Sequence, residues 1–168
     1  MSLDPLFEAG PAIQVHAVAA IAAFVLGAFV LWRRKGTRLH KALGRIWVVL
    51  MLVVATSALF INEIRLIGPF SPIHIFVVLT YAGIGQALWA ILVRHDVAAH
   101  RSNMQATYLG ALLLAGAFTF LPGRRMHDVL FGAEAGWVPS LVMISAALLT
   151  TGLLWRRMMP RKPMPRAP

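Results

Sequence analysis

The sequence predicts an all-α polytopic transmembrane bundle of five spans, and three observations carry that prediction. Several runs of roughly 18–22 residues lack charge, long enough as helices to cross a bilayer. The chain is 59% apolar with only 13% charged residues and a mean hydropathy of +0.73, where soluble domains are about a quarter charged. The 16 basic residues gather between and after the apolar runs, not within them.

The first ten residues, with Asp4 and Glu8 and no basic run, do not resemble a secretory signal peptide and form a short outer segment. Span one is predicted over about 11–32, because Gly10-Pro11 suits a helix start. Ala19, Ala23 and Gly27 recur every fourth residue along it, a spacing that admits close helix approach in lipid. The loop that follows, from Trp32 to Arg45, holds six basic residues and no acid. Thr37 is placed to cap a helix there, with His40 in its first turn.

Span two is expected over about 44–66, with Asn62, Glu63 and Arg65 at its far end. Pro69 and Pro72 break the chain. Span three is expected over about 73–93, with Ser71 as N-cap, Pro72 at N1, His74 in the first turn and Gln86 mid-span. Gly83 and Gly85 offer another close-packing point. Asp96 caps span four, expected over about 104–121 before Pro122-Gly123. The segment from Arg124 to Gly136 carries Met126, Val129, Leu130 and Phe131 and reads as interfacial. Span five is expected over about 137–155. The domain reading is thus an outer segment 1–10, a bundle 11–156 and a disordered basic cytoplasmic tail 157–168.

Lys/Arg-rich short loops stay cytoplasmic. With the N-terminus outside and the C-terminus inside, thirteen basic residues fall on the inner side and three (Arg65, Arg124, Arg125) on the outer. The net charge of +10 is therefore read as a topology signal and as contact with anionic lipid headgroups, not as a nucleic-acid surface. The absence of cysteine excludes thiol chemistry, disulfides and Cys-ligated metal. Localisation is expected in a bacterial cytoplasmic membrane, multi-pass.

Shifting the sequence by sixty places Arg34 on Arg94, His40 on His100 and Lys41 on Arg101. Spans one and two therefore read as a helical hairpin repeated in spans three and four, a four-helix core to which the fifth helix is added.

Histidines supply the candidate chemistry. In an up-down bundle, His16 can face His74 near the outer surface and His40 can face His100 near the inner one. Haem iron takes two axial imidazoles from facing helices, with Arg38, Lys41, Arg45 and Arg101 available to propionates. The layout is that of a haem-b-type electron carrier, with haem b as its cofactor. The competing bland reading is that interfacial histidines are half solvated at little cost.

A weaker alternative is a divalent-metal site from His127 and Glu63 with His16 and His74, although no tight ligand spacing supports it. Small-solute transport along Ser57, Thr80, Tyr81, Gln86, Tyr108 and Thr119 is a third reading. Each of those side chains is more simply an interhelical hydrogen bond. A different class of reading is a non-catalytic membrane protein that stabilises or assembles a larger complex, through a membrane partner or a homo-oligomer.

The motif Lys35-Gly36-x3-His40 with Gly44-Arg45, the pair His100-Arg101, and Phe120-Leu121-Pro122-Gly123-Arg124 resemble a family of small bacterial integral membrane proteins described only as a domain of unknown function. The resemblance covers about residues 12–130 and implies membrane insertion but no activity. The likeness to four-helix two-haem cytochromes b is an analogy of helix count and histidine placement.

Overall fold

Gly10 and Pro11 begin the first long helix as expected: Gly10 is an extended N-cap and Pro11 occupies N1, where its missing N–H costs nothing. The structure, a computed structural model, describes residues 3–61, 74–132 and 134–158. Its described elements are all helical. They are α1 (Asp4–Phe7), α2 (Pro11–Trp32), α3 (Arg38–Ala58), α4 (Ile75–Leu92) and α5 (Val97–Thr107). After α5 the chain continues through a π-helical segment (Tyr108–Leu114), α6 (Ala115–Ala117) and a 3-10 turn (Phe118–Phe120). It then forms α7 (Arg125–Phe131) and α8 (Trp137–Met158).

Among the described residues, α2, α3, α4 and α8 are long and apolar enough to span a membrane. Val97–Phe120 and α7, bent by 68° to each other, make a fifth candidate span only when the two are taken together. The boundaries differ from expectation in several places, among them that α3 ends at Ala58, short of 66, and that α5 already begins at Val97. α3 begins at Arg38 with Thr37 as its cap, as expected, accepting a hydrogen bond from His40 N–H at 3.1 Å, so the helix starts ahead of the span expected from about 44. α4 begins at Ile75 with His74 as its N-cap, so His74 stands just before the first turn. α8 runs on to Met158 past Trp155, and Arg156 and Arg157 complement its C-terminal dipole. The expected cap Ser71, Pro72, the 62–66 end of span two and the tail beyond 158 lie outside the described residues.

Antiparallel pairing of α2 with α3 and of α4 with α5 builds two hairpins. Their turns share one design. Gly36 is left-handed (φ +81°) before the Thr37 cap, and His95 is left-handed (φ +53°) before the Asp96 cap. Asp96 accepts from Ala99 N–H at 2.9 Å. The crossing points also correspond. Trp47 reaches Ala23 in the first hairpin, and Thr107 lies against Gly83 in the second. Both pairs are sixty residues apart in the two hairpins, which carries the repeat from sequence into packing.

The core where the hairpins meet is formed by Ala23, Trp47, Met51, Ile84, Tyr108, Leu109 and Leu112. Gly27 has no Cβ because two aromatic rings occupy its space. An added Cβ would sit 2.5 Å from Trp47 Nε1 and 2.6 Å from the Tyr108 ring. Trp47 Nε1 donates to Ala23 O at 2.9 Å and Tyr108 Oη to Phe24 O at 3.1 Å, with Phe24 stacked on Tyr108. The Ala19–Ala23–Gly27 stripe, all buried, therefore packs inside the molecule. Gly110, by contrast, has open space around it.

Outward, Val18, Val25, Val49, Val78, Leu79, Val142 and Leu149 are all exposed. So continuous an apolar surface matches hydrocarbon as its solvent.

Candidate functional site

The two hairpin turns lie side by side at one end of the bundle. Arg101 acts on Lys35, and Lys35 and His100 act on His40, through space. This basic end holds Arg33, Arg34, Lys35, Arg38, His40, Arg94, His95, His100 and Arg101. Lys35 Nζ donates to the carbonyls of Leu31 and Arg33, placing a cation on the C-terminus of α2. Burial and the Arg101 guanidinium both push its ammonium below the ordinary lysine value.

His40 and His100 both lie at this end, close enough for one to act electrostatically on the other. His100 Nδ1 lies 2.9 Å from Ala87 O on α4, so Nδ1 carries the proton and Nε2 is left as the basic nitrogen. His40 sits in the first turn of α3. Its Nδ1 is buried and has no hydrogen-bond partner among the described residues.

At the opposite end, His16 on α2 turns toward α3. Its Nδ1 lies 3.0 Å from Val54 O and 3.2 Å from Ser57 Oγ. The Ser57 hydroxyl donates to Val53 O and Val54 O, so Nδ1–H points at the carbonyl and Nε2 is again the free nitrogen. His74 is buried at the head of α4.

The contacts of His16 fix the axial spacing. Val54 and Ser57 stand fourteen to seventeen residues beyond His40 on the same helix, which is about 21–26 Å at 1.5 Å per residue. Both histidine levels therefore fit inside a hydrocarbon slab of about 30 Å.

The remaining candidates are placed differently. His127 on α7 is buried, with Nε2 at 2.9 Å from Ala135 O and Nδ1 at 3.1 Å from Phe120 O and 3.0 Å from Ser140 Oγ. Ser140 also donates to Phe120 O. The imidazole ties α8 and α7 to the end of span four, and both of its nitrogens are engaged. Glu63 lies outside the described residues. Among the described residues, no group of three His, Asp or Glu side chains is placed to hold a metal ion.

Most of the mid-span polar residues are satisfied. Thr56 Oγ1 and Tyr81 Oη are 2.8 Å apart, Thr80 donates to Phe76 O, Thr107 to Asn103 O and Thr119 to Gly116 O. Gln86 has no such bond among the described residues.

Sequence reasoning missed the acceptor carbonyls of α2 and the bonds of Trp47 and Tyr108 to them. The signal was the 24-residue offset from Ala23 to Trp47, equal to that from Gly83 to Thr107. It also missed the π-helical segment, for which no spacing signal exists in the 108–114 run.

A family model described as "Predicted membrane protein (DUF2306)" matches residues 13–150. No curated protein and no solved structure matches the chain.

Proposed function

The chain belongs to the DUF2306 family of predicted membrane proteins, and from that premise we propose that it is a haem-b-type transmembrane electron carrier. His16 and His74 would hold one haem and His40 and His100 the other. The N-terminus would be outside, with the basic end at the cytoplasmic face of a bacterial membrane among anionic headgroups.

The observation that carries the reading is the fixed orientation of two imidazoles. His16 and His100 each engage a carbonyl of the neighbouring helix through Nδ1, Val54 O and Ala87 O respectively. An iron-ligating histidine is oriented in this way, with the second nitrogen left for the metal. The buried, unbonded Nδ1 of His40 is a polar atom that this fold leaves without use. Haem iron, when bound, supplies one-electron chemistry. The protein's part is to aim the imidazoles, exclude water through the Trp47–Tyr108 core and offer Arg38 or Arg101 to carboxylates.

The test is an oxidised-minus-reduced absorption spectrum of the protein purified in mild detergent from haem-replete cells. A Soret band and a sharp reduced α band, halved by His100→Ala or His16→Ala and unchanged by Ser140→Ala, support the proposal. A flat visible spectrum from well-folded protein refutes it.

A second reading has one specific observation behind it. α8 packs chiefly on span four and leaves Val138, Leu141, Val142, Leu149 and Leu153 exposed, a face suited to a neighbouring membrane helix. A non-catalytic subunit that stabilises a larger complex, or a homo-oligomer, would use it. A flat spectrum together with a co-purifying membrane protein, lost on Leu149→Trp, supports that reading.

A further inference from the structure

Gln86 is a polar side chain on an otherwise apolar, outward face of α4. It stands on α4, six residues before the helix ends at Leu92, hence about 9 Å into the apolar layer. Its side chain is exposed on the membrane-facing side. Across the hairpin, Asn103 on α5 faces the same groove. Neither carboxamide has a hydrogen-bond partner among the described residues, whereas Thr80 and Thr107 on the same two helices donate to backbone carbonyls. A polar group facing hydrocarbon with its bonds unmade is costly, so two of them in one groove point to something that occupies it.

The groove has a volume of about 280 Å³ and is lined by Gly85, Gln86, Trp89, Ala90, Arg94, Ala99 and Asn103. Its chemistry is asymmetric. Two carboxamides and the Arg94 guanidinium offer N–H donors, and the lining holds no carboxylate. Gly85, Ala90 and Ala99 contribute little side-chain bulk to the lining, and the Trp89 indole, itself 60% exposed, offers an aromatic face on which a planar ring can stack. The floor is also the back of the His100 position, since Ala99 adjoins it and Ala87, its hydrogen-bond acceptor, lies one turn from Ala90.

We propose that this groove is a binding site for the headgroup of a membrane-dissolved quinone. Its carbonyl oxygens accept from Gln86, Asn103 and Arg94, and its ring lies on Trp89. A phospholipid headgroup meets these requirements less well, because its phosphate stays at the membrane surface and does not reach the depth of Gln86. The inference names a redox partner class for the electron-carrier reading and rests on that reading for its purpose, but the groove is argued from its own lining.

The experiment uses the full chain in lipid nanodiscs, prepared once from haem-replete cells and once from haem-deprived cells, with decylubiquinone as probe and tryptophan fluorescence quenching as readout. The expected result is saturable binding that weakens at least tenfold in Gln86→Leu and in Asn103→Leu, with melting temperature unchanged or raised. Gln86 is exposed and Asn103 half-buried in the groove, and both substitutions replace an unbonded carboxamide by a lipid-compatible side chain, so folding is preserved. Linear, non-saturable quenching overturns the proposal. Equal binding by parent and variants also overturns it, as does a shift from dimer to monomer in Gln86→Leu, which would assign the groove to a second copy of the chain. A phospholipid retained in native mass spectra, lost in Asn103→Leu and not displaced by decylubiquinone, overturns it as well. Saturable, Gln86-dependent binding in a preparation with a flat haem spectrum keeps the groove and removes the electron-carrier reading. A two-haem spectrum without saturable binding does the reverse.

Discussion

Replacing Gly27 by alanine tests the packing of the whole bundle. The new methyl group would lie 2.5 Å from Trp47 Nε1 and 2.6 Å from two carbons of the Tyr108 ring. Both rings are buried and anchored by hydrogen bonds to adjacent carbonyls of the same helix, so neither can yield alone. Overpacking of this kind costs about 1–3 kcal/mol. Two interhelical hydrogen bonds weakened in a membrane add about 0.6 kcal/mol each. The helix propensity of alanine over glycine returns about 1 kcal/mol. The net expectation is a loss of about 1–3 kcal/mol. Gly44, with open space around its Cβ position on α3, serves as control, and there the same substitution should gain up to about 1 kcal/mol. Reversible unfolding in mixed micelles of mild detergent and dodecyl sulfate measures both. If Gly27→Ala unfolds at the same or a higher dodecyl sulfate fraction than Gly44→Ala, the interlocked crossing is refuted. In the double variant Gly27→Ala/Trp47→Leu, the losses should be less than additive, because one of the two clashing groups has gone.

Three other outcomes follow from named contacts. Thr37→Ala and Asp96→Ala should each cost about 0.5–2 kcal/mol as lost N-caps; hydrogen exchange at His40 and Ala99 amides, the two capped donors, should rise locally, and unchanged exchange would refute the caps. Ser140→Ala removes the hydroxyl between His127 and Phe120 O and should cost about 1–3 kcal/mol, with faster proteolysis around residue 136; an unchanged cleavage rate would show that this network does not hold α8. Lys35 should deprotonate below the ordinary lysine value, because burial and Arg101 disfavour its charged form. Folding stability should therefore rise as pH climbs through the folded pKa toward that of an unfolded lysine, about 10.4. Arg101→Gln should move the Lys35 midpoint upward in a ¹⁵N-lysine titration, and a fixed midpoint would refute the proximity.

The helical, membrane-spanning character of the chain was legible because lipid imposes a crude requirement, length and apolarity, that composition satisfies openly. The turns were legible for the same reason: Thr37 and Asp96 are cap residues at the ends of charge-rich loops, and both cap. Gly27 was recognised as a close-packing residue, but not that Trp47 and Tyr108 fill its space. That depends on which helix faces which, and an apolar run is apolar all round. α2 is apolar on every side, so periodicity could not say which face is buried. The histidines could be sorted to two ends by counting residues. Their tautomers could not, because the acceptors Val54 O and Ala87 O are backbone atoms with no sequence signature. His127 was a candidate metal ligand on a segment read as interfacial. It became a buried structural residue only once the 68° bend brought α7 over the end of span four.

The π-helical stretch from Tyr108 to Leu114 makes span four a shaft whose two halves are out of phase. A wide turn stores the equivalent of one residue inserted into an α-helix, an angular offset of about 100°. Everything before it is indexed to α4 through Thr107 and Gly83. Phe120, after it, is held to α8 through Ser140, while α7 packs on α1. The deletion of one residue within 109–113 would restore a plain α-helix and turn one half against the other, unseating either the crossing with α4 or the anchorage of α8. The helix thus works as a coupling between two gears cut at different angles, and its length in residues, more than the identity of any one of them, keeps the two engaged.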